Sequence, residues 1–231
     1  MGSNAALDQD LDGDAGGKEG HRQMAVVRVS TIMVSKALFA KSAQLYQHAM
    51  VTGEVARRIV LESGCDFGLQ PAGAYCAGLV HDVGKLFIPD AILGKFDRLE
   101  SVEWEMMQRH PLWGVQFVRG TPLERFLEAV AYHHERVDGS GYPFGRKDTE
   151  FPEVARLIQV ADRVAAQLDD RSYRRRVEHV GFILREIRPT VQELFPRHWE
   201  PICAVLEEFL AGHGEPMAPL PSVHLIQEAV L

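Results

Sequence analysis

Two adjacent histidines, His133 and His134, close a helical stretch and run into the glycine-rich turn "ERVDGSGYP". Burying neighbouring imidazoles costs free energy unless each finds a partner. The helix ahead of them carries an apolar stripe of Leu123, Phe126, Leu127, Val130 and Ala131. His134 continues that stripe, and His133 sits about 100° around the helix. The same arrangement recurs. Ala74, Ala77 and Gly78 lead to His81, with Asp82 beside it; Ala155 and Ile158 lead to Asp162; His48 shares a line with Leu45, Thr52 and Val55. A lone histidine on an apolar face is ordinarily a hydrogen-bonded core residue. Here several imidazoles and two carboxylates point inward, and no lysine or arginine on those faces neutralises them. A bare buried aspartate costs several kcal/mol unless it is paired or bound to metal. A metal cluster satisfies the whole set together.

With His110 added, the candidate ligands are His48, His81, Asp82, His110, His133, His134 and Asp162. Imidazole and carboxylate without thiolate suit Fe, Mn, Zn or Ni. One octahedral ion takes about six ligands and needs an open position for chemistry, so this set implies two ions. Asp82, next to the ligand His81, is placed to bridge them. Two ions about 3.5–4 Å apart hold a hydroxide and polarise a phosphoryl oxygen, which makes phosphoester hydrolysis the natural reaction class.

The elements that must position these groups read as helices. From about residue 29 to 212, apolar residues recur at spacings of three and four, and convincing strand alternation is absent. "MAVVRVSTIMV" reads either as a short strand or as a first helix. Helices are expected near 43–63, 72–84, 153–168, 176–194 and 199–211. Ser101 is expected to cap a helix that ends at the His110-Pro111 step. Thr121, Pro122 and Glu124 form a capping-box pattern for a helix running to about His134. The expected division is an acidic tail over 1–23, a helical domain over 24–215 and a C-terminal tail over 216–231. Asp8 to Glu19 fits a calcium-loop pattern, but only seven residues precede it where a helix is required, and an acidic tail is the better reading.

Composition narrows the function classes. The chain has 231 residues, 46% of them hydrophobic, and a net charge of -7. That charge argues against a binder of nucleic acid polymers. Cys65, Cys76 and Cys203 lack metal or disulfide spacing, which favours a reducing cytoplasm. No apolar run approaches the roughly 20 residues that span a bilayer.

The blocks "HDVGKLFIPDAIL" and "HHERVDGSGYP" resemble the HD-GYP family of the HD metal-dependent phosphohydrolase superfamily. "EMMQRHPLWG", "HAMVTGEVA" and "VADRVAAQLDDRSYR" resemble further segments of that family, in order, over about residues 40–175. The resemblance implies an all-α HD-domain helical bundle with a metal centre in its core. It implies hydrolysis of cyclic di-GMP to pGpG or GMP by attack of a metal-bridging hydroxide, with the same seven metal ligands. It places Lys85 near a phosphate, and gives Arg171 and Arg174 contacts to the nucleotide. Iron or manganese is implied as the metal, with zinc and nickel as alternatives. Gly141, Tyr142 and Pro143 would form a loop over the site that contacts substrate and diguanylate cyclase (GGDEF) domains. Gly139 and Gly141 are read as supplying backbone angles closed to other residues. A homodimer is compatible with this picture.

The chain also departs from the pattern. Gln44 stands where some members carry a glutamate that ligates a third metal, which favours two ions. Ser172 replaces the proline of an Arg-Pro-Tyr-Arg turn. The rival readings are a non-catalytic module that binds cyclic di-GMP or a cyclase partner, and a hydrolase of another cyclic dinucleotide.

Overall fold

The computed structural model describes residues 15–147, 152–169 and 179–212, with backbone alone for 15–25, Arg28 and His179. Helix α1 spans Ala15–Lys41, α2 Ala43–Glu62, α3 Pro71–Val80, α4 Asp90–Leu93 and α5 Ser101–Met107. Then come α6 His110–Val118, α7 Leu127–Tyr132, α8 Glu153–Asp169, α9 His179–Leu194 and α10 Trp199–Gly212. Short 3₁₀ turns occupy Val83–Phe87 and Glu124–Phe126. Among the described residues there is no strand, only an isolated bridge between Asp138 and Lys147. The protein is all-α. None of the described helices is long and apolar enough to cross a membrane.

Helix α2 is the axis of the core. Ser42 caps it by accepting a hydrogen bond from the Leu45 N–H, and Leu45, Ala49, Val55, Ala56 and Ile59 are buried along it. Helices α3 and α8 pack directly on α2, and α10 also contacts it. Helix α8 has a sharply amphipathic sequence, and its Ala155, Leu157, Ile158, Ala161, Val164 and Ala165 are all buried. Complete burial of such side chains contributes about 1.5–3 kcal/mol each for the larger ones. This packing fixes the faces of α2, α3 and α8 that carry polar groups.

The ambiguous "MAVVRVSTIMV" segment is helical. Val27, Thr31, Val34, Ser35 and Leu38 form its buried face, and the hydroxyls of Thr31 and Ser35 donate to the carbonyls of Val27 and Thr31. Packing against α2 and α3 overrides the β-propensity of its valines. Helix α1 begins at Ala15, inside the stretch read as an N-terminal tail. Asp8 and the rest of the calcium-like pattern ahead of Ala15 lie outside the described residues.

Two expected caps differ in detail. Helix α5 is capped by Glu100, not Ser101: the Glu100 side chain accepts from the Glu103 backbone N–H, and the Glu103 carboxylate accepts from the Glu100 N–H. At the other site, the Thr121 hydroxyl accepts from Leu123 N, but Glu124 reaches back to Gly120 N. The chain therefore enters a 3₁₀ turn before α7, and α7 ends at Tyr132.

Candidate metal centre

His48 projects from the second turn of α2, and His81 and Asp82 follow directly on the end of α3. His110 opens α6, His133 and His134 follow α7, and Asp162 lies in α8. The structure brings all of these candidates to one place, in two groups that share Asp82. One group is Asp82, His110, His133 and His134, the other His48, His81 and Asp82; within each, the donor atoms lie within 4.8 Å of one another. Asp162 joins the second group, its Oδ1 2.8 Å from His48 Nε2 and 3.8 Å from His81 Nε2.

The two oxygens of Asp82 face different groups. Oδ1 is 3.1 Å from His110 Nε2 and 3.6 Å from His133 Nε2. Oδ2 is 3.3 Å from His81 Nε2 and 3.9 Å from His48 Nε2. His81 and Asp82 are fully buried, yet His81 Nε2 and Asp82 Oδ1 lack a partner in hydrogen-bonding geometry. Such buried orphans are costly unless another group satisfies them.

The outward ring nitrogens of His48, His81, His110 and His133 are held. His81 Nδ1 donates to the Gly78 carbonyl at 2.5 Å, His110 Nδ1 to Met107 at 2.8 Å, and His133 Nδ1 to Ala129 at 3.0 Å. His48 Nδ1 is 2.7 Å from Asp169 Oδ2. A proton fixed on Nδ1 leaves Nε2 of these four rings facing inward, the arrangement that outer partners impose on metal-binding histidines. An imidazole and carboxylate set with orphaned inner atoms and secured outer atoms fits divalent cations.

Electrostatics divide the two groups. Burial pushes His133 down to about 4, and burial together with His133 and His110 holds His134 well below the ordinary histidine range. These rings are neutral at pH 7, as ligation requires. On the other side, burial opposes the charged form of His81, but Asp82 and Asp162 outweigh it and raise the group to about 10. Burial likewise works against charge on His48, and Asp162 and Asp169 more than offset it. Burial would raise Asp82, but His81 and Lys85 hold it well below the carboxylate range.

The placement of the other expected residues varies. Lys85 Nζ lies 2.5 Å from Asp82 Oδ2, on the carboxylate shared by both groups. Gln44 is exposed on α2. Arg171, Ser172 and Arg174 lie outside the described residues. His133 is the deeper of the histidine pair and His134 is half-buried, the reverse of the stripe reading. The stripe itself is buried through Phe126, Val130 and Ala131, but α7 ends at Tyr132, so the histidine pair lies beyond the helix whose period the reading extended. Gly139 does adopt a positive φ, +80°. Gly141 does not; it is needed for space, because a Cβ there would lie 2.4 Å from Arg136 N and 2.5 Å from the His134 carbonyl oxygen. The loop folds back so that Tyr142 N donates to His134 O, and the Tyr142 ring stacks on His134 at 4.6 Å.

Two residues of the site escaped the sequence reading. Glu135 is fully buried, and its carboxylate accepts the backbone N–H groups of Phe144 and Arg146, both at 2.8 Å. It ties the Gly-Tyr-Pro loop to the histidine pair. Asp169 orients His48. Replacing Asp169 with asparagine is expected to weaken metal retention by about 10- to 100-fold, the usual cost of losing an outer partner, and to leave the fold intact. Metal analysis after dialysis against a graded chelator, with circular dichroism alongside, measures this.

A family model described as "HD domain" matches residues 32–184, and the chain belongs to that family. Among curated relatives, it is 35% identical over 146 residues to a 3'3'-cGAMP-specific phosphodiesterase 1 of Vibrio cholerae, covering 62% of this chain and 33% of that protein. It is 41% identical over 102 residues to the cyclic di-GMP phosphodiesterase response regulator RpfG of Xanthomonas campestris, covering 42% of this chain and 27% of that one. It is 35% identical over 134 residues to a cyclic di-GMP phosphodiesterase of Thermotoga maritima, covering 57% and 36% respectively. The chain spans about a third or less of the length of the relatives it matches first.

Proposed function

We propose that this protein is a metal-dependent phosphodiesterase that opens a cyclic dinucleotide, with cyclic di-GMP as substrate and pGpG or GMP as product. The observation that carries this reading is the Asp82 carboxylate, which offers one oxygen to His110 and His133 and the other to His48 and His81. Two divalent ions, iron or manganese, would be held by His48, His81, Asp82 and Asp162 on one side and His110, His133, His134 and Asp82 on the other. When bound, such a pair supplies an activated water and neutralises charge on the phosphoryl oxygens. Lys85 stands beside Asp82 with its ammonium form favoured: burial disfavours the charge, but the Asp82 and Asp162 carboxylates prevail. In that position it adds a positive charge where a scissile phosphate would arrive. Tyr142, on the loop held by Glu135, stacks against the His134 side of the site. Arg171 and Arg174 would contact the nucleotide. The loop would also meet diguanylate cyclase domains, the chain could pair as a homodimer, and the reaction would run in the cytoplasm.

A second substrate has support from the relatives named for 3'3'-cGAMP. The full donor set disfavours a non-catalytic module. Anaerobically purified protein loaded with Fe²⁺ or Mn²⁺ is expected to consume cyclic di-GMP or 3'3'-cGAMP, in separate incubations resolved by nucleotide chromatography. Consumption of neither by protein carrying two ions per chain would refute the reading.

A further inference from the structure

Helix α5 buries none of its residues, yet it carries a tryptophan. The Trp104 indole is 46% exposed. Nothing in the energetics of the fold demands an aromatic there, since a helix that contributes no residue to the core gains little from a half-exposed indole. Its ring does have a neighbour. Trp104 meets Tyr142 edge to face, with centroids 6.2 Å apart and planes at 78°. Tyr142 in turn stacks on His134 and lies 6.2 Å from the ring of His110. A continuous line of rings therefore runs from two candidate metal ligands, through Tyr142, out to the half-exposed face of Trp104.

The neighbouring carboxylate of α5 is committed elsewhere. Glu103 is engaged by Lys95 Nζ at 2.6 Å and by the Glu100 backbone N–H at 2.7 Å. What Trp104 offers is planar apolar surface beside a site whose inner chemistry suits a phosphate. A purine nucleotide has the matching shape: an anionic phosphate at one end and a flat aromatic base at the other.

We infer that Trp104 is a substrate-binding residue that stacks one purine base of the nucleotide whose phosphate lies at the metal centre. This rests on the phosphodiesterase reading for its substrate but is tested apart from it, by binding. Stacking of a base on an aromatic side chain is worth roughly tenfold or more in affinity. In equilibrium dialysis of metal-loaded protein, Trp104→Ala is expected to weaken GMP binding about tenfold. Binding of inorganic phosphate and metal content should stay unchanged, and Trp104→Phe should recover most of the GMP affinity. With cyclic di-GMP as substrate, the alanine variant should raise KM by a like factor and change kcat by less than about twofold. Equal GMP affinity in wild type and Trp104→Ala overturns the inference, and so does absence of GMP binding in both. A parallel loss of phosphate binding or metal also overturns it, because that result marks the indole as a prop for Tyr142. The phosphodiesterase reading fails separately, when the wild-type protein consumes neither cyclic dinucleotide.

Discussion

A His81→Ala/Asp82→Ala double variant is expected to lose metal and cyclic dinucleotide hydrolysis together, with turnover reduced roughly a thousandfold or more. The size of the effect follows from the position of Asp82. Its two oxygens reach both donor groups, so its removal would strip a candidate ligand from each half of the centre. Loss of His81 leaves the second half with only His48 and Asp162. Lys85 also loses the carboxylate 2.5 Å away that balances its charge. Because both residues are fully buried, a truncation could act through the fold instead. Asp82→Asn separates the two effects. The amide keeps the volume of the side chain but is a poor ligand, so this variant should retain its helical circular dichroism while losing metal and activity. Turnover at the wild-type level in the double variant would remove Asp82 from the mechanism.

The helices that carry the site were legible because their burial is periodic. Val51, Val55 and Ile59 on α2 and Ala155, Ile158 and Ala165 on α8 mark one face each, and the site residues His48 and Asp162 could be read as extensions of those faces. Phase was less legible where a helix is irregular. Helix α7 ends at Tyr132, so a helical period extended to His133 and His134 gives the wrong order of burial for the pair. Asp169 had a usable signal: it lies two turns beyond Asp162 on the same helix, hence on the same face. Glu135 had none, because a charged residue after the histidine pair reads as a solvated side chain until the loop is seen to fold back onto it. Trp104 likewise gains meaning only from the ring that the loop sets beside it.

Gly84→Ala is expected to destabilise the protein by about 3 kcal/mol or more and to disturb the metal centre through the backbone. Gly84 lies in the 3₁₀ turn just after Asp82, where the opening of α6 packs against it. A Cβ at this position would sit 1.8 Å from the carbonyl oxygen of His110 and 2.6 Å from Gly114 N. Those atoms are backbone, so no side chain can rotate to make room. Relief requires moving α6 away from the turn, and α6 carries His110 at its first position. The same displacement separates His110 Nε2 from Asp82 Oδ1, now 3.1 Å apart. Two measurements distinguish packing from ligation. Tm of the metal-free variant should fall by on the order of 10 °C, which reports the clash alone. The extra stabilisation that metal gives the wild-type protein should shrink in the variant, because a ligand that binds the folded state less tightly stabilises it less. An unchanged Tm in the metal-free protein would show that the turn and α6 are not held as closely as the packing at Gly84 requires.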